Sequence, residues 1–402
     1  MDLKKQLEII KRGAVELIPE DELVKKLKKG KPLKVKWGAD PSAPDIHLGH
    51  TVILKKLRVL QDLGHEVIFI IGDFTAMIGD PSGKNVTRPQ LSRAEVKKNA
   101  KTYKGQAFKI LNPKKTKVVY NSTWLKKLKL DDVINLAGKY TVARMLERDD
   151  FMSRFEKERP ISIHEFLYPL IQGYDSVEVK ADIEIGGTDQ KFNLLVGREL
   201  QREFSVGPQV ILTMPLLEGT DGVQKMSKSL ENYIGITDPP SEIFGKTMSI
   251  PDSVLLKYYE LLTNIPESEI KSMKHEIDSG RLNPRDAKSK LAKIFVSELY
   301  SLKEADAAEK EFESIFKEGK LPQEIPLKLI PKKELEAGRI WICKLLVLAG
   351  VSSSSSESKR LVSQGGVSID GEKIDDDSLK IKLDSEKTIK VGKRRFVRVK
   401  AG

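Results

Sequence analysis

The sequence predicts an α/β fold in which a parallel sheet is followed by an α-helical domain and a small α+β domain. Short apolar strand patterns alternate with helical patterns through residues 1–235, as in proteins built from strand, helix, strand units. The apolar pattern becomes wholly helical from Pro239 onward. Near the C-terminal end, Asp370 and Gly371 stand between two short strand patterns, which is typical of a hairpin.

Composition limits the classes of protein to which the chain can belong. It has 402 residues, enough for two or three domains, and a formal net charge of +12 with a pI near 9.3. No apolar stretch approaches a membrane span in length, and the first 30 residues mix lysines with acids, unlike a transit peptide. A single cysteine excludes an intramolecular disulfide. We expect a cytoplasmic protein whose positive charge suits either a polyanionic partner or a generally lysine-rich surface.

Residues 33–71 predict one strand, helix, strand unit. The first strand alternates apolar and polar side chains and ends at Gly38. After two prolines, Asp45 is expected to cap a helix that ends before Gly64. A continuous apolar run at residues 67–71 then predicts a buried parallel strand.

His47 and His50 lie three residues apart on the first turn of that helix, so their rings should share one face. The unpaired N–H groups at a helix start attract phosphate, and Gly49 leaves the backbone open to it. The pair therefore predicts a contact with the phosphates of a nucleotide. The alternatives are two surface histidines or half of a zinc site, for which the chain offers few further ligands.

Glycine-rich loops follow two of the predicted strands. Residues 72–84 come after the apolar run, with positive charge at Lys84 and Arg88, and residues 186–190 end a later strand. The carboxyl ends of parallel strands are where open sheets bind ligands. Asp189, in the second loop, is well placed to accept a hydrogen bond from a ribose hydroxyl.

Tyr168, Gln172 and Asp175 form a polar stripe on a helix that is otherwise apolar. Such a stripe predicts a ligand, because an ordinary amphipathic helix would carry lysine or glutamate at these places. Pro169 is expected to kink this helix or to mark its start. Earlier in the chain, a strand is predicted at residues 117–120, followed by a helix capped near Asn121 or Ser122.

The last strand of the sheet, residues 209–217, leads into a loop in which Gly219 and Gly222 predict mobility. Lys225 and Lys228, three residues apart in this loop, are positioned to close over a triphosphate.

Two of these segments resemble the signatures of class I aminoacyl-tRNA synthetases. Residues 47–50 read HLGH, similar to the His-x-Gly-His signature, and residues 225–229 read KMSKS, the second signature unaltered. YPLIQGYDS at residues 168–176 and GGTDQKFN at residues 186–193 resemble the tyrosine-specific branch rather than the tryptophan-specific one. The basic tail resembles a small RNA-binding domain first known from a ribosomal protein, which bacterial members of that branch carry.

The resemblance implies four segments: a Rossmann-like catalytic domain at 1–235, a helical anticodon-side domain at 236–320, a linker at 321–334 and an RNA-binding domain at 335–402. It also implies the family's reaction, in which tyrosine and ATP, with Mg²⁺, give tyrosyl adenylate and pyrophosphate. The tyrosyl group then passes to the 3′ end of tRNA(Tyr). A homodimer without membrane association is expected.

By the same resemblance, three groups of residues take the family's roles. The catalytic group, which meets the developing phosphate charge, is His47, His50, Ser42, Lys84, Arg88, Lys225 and Lys228. The ATP-binding group is Asp40, Gly49, Gly187, Asp189, Met226 and Lys228. The tyrosine-binding group is Thr75, Asp80, Tyr168, Gln172, Asp175 and Gln190. In that last group, Asp175 is expected to accept from the phenol hydroxyl. No metal is assigned to protein ligands.

Two positions depart from the family's pattern. Lys36 stands where many members have a tyrosine, which leaves the second contact to the phenol open, and Ser42 replaces the usual threonine but keeps the hydroxyl. Three alternatives compete with the main hypothesis: a tryptophan-specific enzyme, an RNA-binding protein that keeps the fold without the activity, and a coenzyme-forming nucleotidylyltransferase. The last would share the histidine signature but would not need the helical domain or the basic tail.

Overall fold

The computed structural model describes residues 2–41, 45–81, 92–317, 325–392 and 395–402. The chain divides into two compact units. The first unit comprises Met1–Pro239 and Lys246–Leu299, and the second comprises Pro240–Gly245 and Tyr300–Gly402.

A six-stranded sheet forms the centre of the first unit. Its strands are β1 (Glu16–Ile18), β2 (Lys34–Ala39), β3 (Glu66–Ile71), β4 (Thr116–Tyr120), β5 (Ile183–Gly187) and β6 (Val210–Met214). They lie in the spatial order β1-β6-β5-β2-β3-β4. All neighbours from β6 to β4 pair in parallel, so the predicted parallel sheet is confirmed.

The middle strands of this sheet are buried on both faces. Every residue of β5 and β6 is buried, as is every residue of β3 after Glu66. Parallel strands that are covered on both faces bury both of their alternating sets of side chains, which explains the unbroken apolar run of β3. Trp37 of β2 stacks on Phe69 of β3 with ring centroids 4.6 Å apart.

The N-terminal segment holds a short strand between two helices. Helices α1 (Leu3–Lys11) and α2 (Glu20–Lys28) are separated by β1, which pairs antiparallel with β6. A strand of three residues is too short to show an alternating pattern, so its existence depends on the partner strand rather than on its own sequence.

Helices cover the sheet and continue as an all-helical stretch after residue 239, as predicted. The remaining helices of the first unit are α3 (Leu48–Asp62), α4 (Thr75–Ile78), α5 (Arg93–Ala107), α6 (Ser122–Leu125), α7 (Leu130–Gly138), α8 (Val142–Met145), α9 (Asp149–Glu156), α10 (Ile163–Val179), α11 (Lys191–Glu203), α13 (Asp252–Leu262), α14 (Glu267–Asp278) and α15 (Pro284–Leu299). Helix α12 (Pro240–Met248) is shared between the two units.

The start of α3 corrects one expectation. Asp45 does not cap this helix; His47 is the N-cap residue, and the carboxylate of Asp45 pairs instead with the ammonium group of Lys228. Lys228 is 183 residues away from Asp45 in the sequence but contacts it in the fold. This contact determines where the side chain of Asp45 lies.

Helix α10 runs through Pro169 and begins well before it. The expectation that this proline marks the start of the helix is therefore wrong. The start of α10 is fixed by Glu165, whose carboxylate accepts from the backbone N–H of Ser162 at 2.9 Å. The same carboxylate forms a two-pronged ion pair with Arg154, and both side chains are almost fully buried. The proline is buried as well, so packing holds the helix in spite of the missing N–H.

The second unit holds the helix α16 (Leu302–Lys317) and a strand-rich C-terminal part that includes two shorter helices. Its remaining elements are β7 (Leu327–Ile330), β8 (Arg339–Trp341), α17 (Ile342–Leu348), α18 (Ser355–Ser363), β9 (Val367–Ile369), β10 (Glu372–Ile374), β11 (Lys380–Lys382), β12 (Lys387–Val391) and β13 (Arg395–Ala401). Five strands form a sheet in the order β10-β9-β12-β13-β7, and β11 pairs with β8. Helices α17 and α18 pack on a core with Ile389 and Val399.

The C-terminal part differs from the prediction at its start. Strand β7 lies in the segment that was expected to be a linker, and it pairs in parallel with β13. Helix α17 begins at Ile342, directly after β8. Ser354 caps α18 by accepting from the backbone N–H of Glu357. The hairpin turn is confirmed, with φ of 51° at Asp370 and 90° at Gly371.

In the described part of the chain, no helix is long and apolar enough to cross a membrane.

The buried pair of Arg154 and Glu165 should contribute strongly to stability. Arg154→Met leaves the Glu165 carboxylate buried without its partner, which typically costs about 3 kcal/mol or more of unfolding free energy. Urea denaturation measures the loss. The control is Arg202→Met, which breaks a more exposed ion pair with Glu199 and should cost less than about 1 kcal/mol. Equal losses for the two variants would contradict this prediction.

Candidate active site

A pocket of about 640 Å³ lies at the carboxyl ends of four parallel strands of the first unit. Ala39 ends β2, Gly72 follows β3, Gly187 ends β5 and Pro215 follows β6, and all four line the pocket. The chain leaves β2 towards β3 on one side, while β5 and β6 lie on the other side. The pocket therefore occupies the point where the strand order reverses, which is the usual ligand site of open parallel sheets.

Nearly all of the predicted site residues line this one pocket. They are Asp40, His47, Gly49, His50, Thr75, Asp80, Tyr168, Gln172, Asp175, Gly187, Asp189, Gln190, Lys225, Met226 and Lys228. The predicted residues Ser42, Lys84 and Arg88 lie outside the described residues. The structure thus brings together segments that are far apart in the sequence.

The two histidines share one face at the start of α3, as predicted. Their ring centroids are 4.0 Å apart, and the backbone N–H of His47 donates to Nδ1 of His50 at 3.3 Å. Nδ1 of His50 is therefore an acceptor, and its ring proton is on Nε2. Burial lowers the pKa of His47 to about 2 and that of His50 to about 4. Both rings are neutral at pH 7.

Gly49, between the histidines, connects this signature to the KMSKS loop. Its backbone N–H donates to Sδ of Met226 at 3.3 Å. A β-carbon at position 49 would lie 3.0 Å from two atoms of the His47 ring, closer than most such contacts. The absence of a side chain keeps that ring in place.

Ion pairs hold the two lysines of the KMSKS loop at the rim of the pocket. The ammonium group of Lys225 lies 3.3 Å from the carboxylate of Asp189, and that of Lys228 contacts Asp45. The backbone N–H of Met226 donates to the carbonyl of Leu217 at 2.7 Å. The loop is therefore placed over the same side of the pocket as the histidines.

Asp40 lies at the floor of the pocket. Its carboxylate accepts from the hydroxyls of Thr75 at 2.6 Å and Tyr168 at 2.9 Å. Burial raises the pKa of Asp40 to about 7 despite these two hydrogen bonds. Asp40 was predicted to bind ATP, but its two hydrogen-bond partners, Thr75 and Tyr168, were predicted to bind tyrosine.

Asp175 is a buried carboxylate of the pocket. It accepts from Nε1 of Trp124 at 2.8 Å and from Nδ2 of Asn121 at 3.2 Å, one donor on each oxygen. Burial raises the pKa of Asp175 to about 7, and the positive charge of Lys36 acts in the opposite direction. The two donors orient the carboxylate and leave its other lone pairs available to a hydroxyl.

A chain of side-chain amides connects three of the predicted tyrosine-binding residues. Gln190 donates to the carboxylate of Asp80 at 2.9 Å. The buried Asn193 donates to the carbonyl oxygens of Gln190 at 3.0 Å and Gln172 at 3.1 Å. This network fixes the orientation of both glutamine amides.

Sequence reasoning did not predict four residues that shape the site: Asn121, Trp124, Asn193 and Asp45. Asn121 is the N-cap residue of α6, as predicted, but its side chain makes no capping hydrogen bond: it accepts from the backbone N–H of Phe74 at 2.9 Å and donates to Asp175. A signal was available, since Asn121 and Trp124 follow the carboxyl end of β4 as other site residues follow β2 and β3. Nothing in the local sequence indicated the contact of Asp45 with Lys228.

Comparisons with known proteins agree with this geometry. A family model described as "tRNA synthetases class I (W and Y)" matches residues 28–317, and one described as "Tyrosine--tRNA ligase SYY-like C-terminal domain" matches residues 323–400. A tyrosine–tRNA ligase of Carboxydothermus hydrogenoformans is 60% identical over 99% of this chain and 98% of its own length. The chain belongs to the tyrosine–tRNA ligase family. Another relative of that name, from Syntrophotalea carbinolica, is 56% identical over 99% of this chain and 98% of its own length.

Solved structures support the tyrosine–tRNA ligase fold. A tyrosyl-tRNA synthetase from Archaeoglobus fulgidus, in complex with L-tyrosine, matches with a TM-score of 0.63 and 27% identity. The match covers 77% of this chain and all of that one. Members of the family are ATP-dependent aminoacyl-tRNA synthetases, so the predicted family, fold class and reaction are confirmed.

The neutral state of His50 predicts how stability depends on pH. Its pKa is about 4 in the folded chain and near 6.5 in the unfolded chain, which therefore binds the extra proton. This contribution to stability is complete above pH 6.5 and is lost as the pH falls towards 4. Between pH 7 and pH 5, the unfolding free energy of His50→Gln should fall by roughly 2 kcal/mol less than that of the unmodified chain.

Urea denaturation at pH 7, 6 and 5 measures this difference. The control is His275→Gln at an exposed position of α14, which should keep the curve of the unmodified chain. Parallel curves for His50→Gln and the unmodified chain would contradict the prediction.

Proposed function

We propose that the pocket carries out both steps of tyrosine–tRNA ligation. In the first step, the carboxylate of tyrosine attacks the α-phosphorus of ATP and releases pyrophosphate. In the second, a terminal ribose hydroxyl of tRNA(Tyr) takes the tyrosyl group and releases AMP. The observation that carries this proposal is the position of Asp175, a buried acceptor at the tyrosine end of a pocket whose other end holds both signatures.

The tyrosine end needs groups for the ammonium and for the phenol. We assign the ammonium of the substrate to Asp80, Tyr168 and Gln172, which line the pocket together. We assign the phenol hydroxyl to Asp175, which is oriented by Trp124 and Asn121. A buried acceptor discriminates against phenylalanine because that ligand would leave it without a hydrogen bond.

The ATP end supplies donors for the charge that develops on the phosphates. The neutral rings of His47 and His50 donate N–H groups at the start of α3, and Lys225 and Lys228 add positive charge from the loop. Neither step requires a nucleophile from the protein. Catalysis then consists of positioning the two substrates and stabilising negative charge in the transition state.

We assign Ser42, Lys84 and Arg88 to the same phosphates, and Gly49, Gly187, Asp189 and Met226 to the nucleotide. Of these, Asp189 is suited to a ribose hydroxyl because its carboxylate lies at the carboxyl end of β5. Asp40 would act between the two substrates, since it holds Thr75 and Tyr168 by hydrogen bonds. Gln190 would position the carboxylate of Asp80.

Mg²⁺ is proposed to enter with ATP. Within the described residues, no group of three or more His, Cys, Asp or Glu side chains could hold a metal ion. Mg²⁺ commonly keeps several water ligands and is bound by one or two carboxylates together with substrate phosphates, which fits such a site. The ion would neutralise charge on the pyrophosphate.

We propose that the C-terminal part binds the tRNA in the cytoplasm. The last 72 residues carry 16 lysines or arginines against 10 acids, half of the net charge of the chain. Cationic side chains supply most of the affinity for a phosphate backbone. Because β7 pairs with β13, we propose that this domain begins before β7 rather than at residue 335; the limits predicted for the other domains are kept as proposals.

We also propose a homodimer that uses the apolar residues exposed on α7 to α10. Each of these residues is more than half exposed: Leu130, Ile134, Val142, Phe155 and Ile163. Large apolar side chains concentrated on consecutive helices mark an interaction surface. A monomeric mass by light scattering at micromolar concentration would contradict this assignment.

The proposed activity is tested by the exchange of labelled pyrophosphate into ATP, with each of the twenty amino acids added in turn and no tRNA. Exchange with tyrosine alone is expected. Exchange with tryptophan would contradict the role of Asp175. No exchange with any amino acid would favour the alternative of an RNA-binding protein that keeps only the fold.

Loss of the phenol acceptor should affect tyrosine selectively. Asp175→Asn removes a charged acceptor, and hydrogen bonds to charged groups contribute about 1.5–3 kcal/mol, so kcat/KM for tyrosine should fall about 10- to 100-fold. Exchange with phenylalanine should change much less. The control is Asp73→Asn, a nearby carboxylate that accepts from the hydroxyl of Ser122 at 2.6 Å outside the pocket. Unchanged tyrosine kinetics in Asp175→Asn would refute the assignment.

A further inference from the structure

A buried ion pair lies beneath the tyrosine end of the pocket and has no part in the mechanism proposed above. Lys36 of β2 and Glu184 of β5 are register partners on neighbouring parallel strands. Their ammonium and carboxylate groups are 2.7 Å apart, and both side chains are almost fully buried. Buried charges are expensive, so their position needs an explanation.

All three N–H groups of Lys36 have acceptors inside the protein. Besides Glu184, the ammonium donates to the hydroxyl of Ser176 at 2.7 Å and to the backbone carbonyl of Gln172 at 3.2 Å. A lysine ammonium has three donors, so none remains for a ligand. Lys36 therefore does not supply the phenol contact that a tyrosine at this position would offer.

Two acceptors of Lys36 lie on α10, and they flank Asp175 in the sequence. Gln172 and Ser176 lie one helical turn apart, and Asp175 lies between them. The ammonium holds this turn of α10 against two strands of the sheet. A rotation of the turn about the helix axis would break the contacts of Lys36 and would turn Asp175 away from Trp124 and the pocket.

Glu184 completes the network on the other side of the lysine. It accepts from the hydroxyl of Ser176 at 3.0 Å and from the side-chain amide of the buried Gln209. Gly197 of α11 leaves room for these groups, since a β-carbon there would lie 3.0 Å from both Ser176 Oγ and Gln209 Nε2. A buried hydrogen-bond network that joins the helix to both strands favours one orientation of the helix turn.

We propose that Lys36 is a positioning residue for tyrosine selectivity: by fixing the turn between Gln172 and Ser176, it holds the Asp175 carboxylate where it accepts the phenol hydroxyl. This proposal rests on the proposed function. The charge of Lys36 acts in the same sense, because it favours the ionised carboxylate against the burial that disfavours it. A group that many relatives use as a direct contact is thus replaced by one that acts from behind the helix.

Two variants test this role. The double variant Lys36→Met/Glu184→Gln removes both charges, so that neither is left buried alone. Ser176→Ala removes one acceptor of the ammonium without changing any charge. Pyrophosphate exchange is measured with tyrosine and with phenylalanine, and circular dichroism verifies that each variant is folded.

The expected result is a rise in KM for tyrosine and a fall of about tenfold in the ratio of kcat/KM for tyrosine to that for phenylalanine. KM for ATP should stay within about twofold. The control is Lys56→Met, which removes another buried lysine that donates to backbone carbonyls, those of Ile9, Ile10 and Arg12, away from the pocket. It should keep the ratio of the unmodified chain.

A tyrosine to phenylalanine ratio that stays within about twofold of the unmodified chain in a folded variant would overturn the proposal, even if both activities fell together. That result would mean that the ion pair only stabilises the fold. If the double variant does not fold, Ser176→Ala decides. Absence of tyrosine-dependent exchange in the unmodified chain would instead refute the proposed function, so the two failures are distinguishable.

Discussion

The carboxylates of Asp175 and Glu184 are buried in the first unit and that of Asp40 is half-buried, and a carboxylate shielded from water must be offset by donors. Each has its own set: two hydroxyls for Asp40, an indole and an amide for Asp175, an ammonium, a hydroxyl and an amide for Glu184. These donors come from β2, α4, α6 and α10 and from the segments beside them. Satisfying the carboxylates therefore assembles the end of the pocket proposed to bind tyrosine, because no single element could supply the donors alone.

The two ends of the pocket solve opposite electrostatic problems. At the end proposed to bind tyrosine, carboxylates are kept in a place where burial favours their neutral form. At the end proposed to bind ATP, burial keeps His47 and His50 neutral, so their N–H groups add no charge, while lysines of the KMSKS loop supply positive charge. Neutral donors beside cationic side chains suit the phosphates of the proposed nucleotide substrate.

The sequence was informative where the structure of an element depends only on its local residues. The apolar run of β3, the turn at Asp370 and Gly371 and the two signatures all follow from local pattern, and the structure brings the described signature residues into one pocket. It was not informative where the structure depends on a contact with a residue or strand that is distant in the sequence. β1 exists because β6 pairs with it, and Asp45 faces Lys228 rather than its own helix. Asn121 is the N-cap residue of α6, yet for the same reason its side chain contacts Asp175 and Phe74 rather than its own helix.

The antiparallel addition of β1 has a consequence for the behaviour of the chain in concentrated solution. All five residues of β6 are buried, and without β1 this strand would present its unpaired N–H and C=O groups at the border of the sheet. An unpaired apolar strand at the edge of a sheet can pair with a strand of another chain, which leads to aggregation. With β1 in place, the border is only three residues long, and it carries Glu16 in an ion pair with Lys191. A short, charged border of this kind resists edge-to-edge aggregation, so a segment remote from the chemistry contributes to solubility.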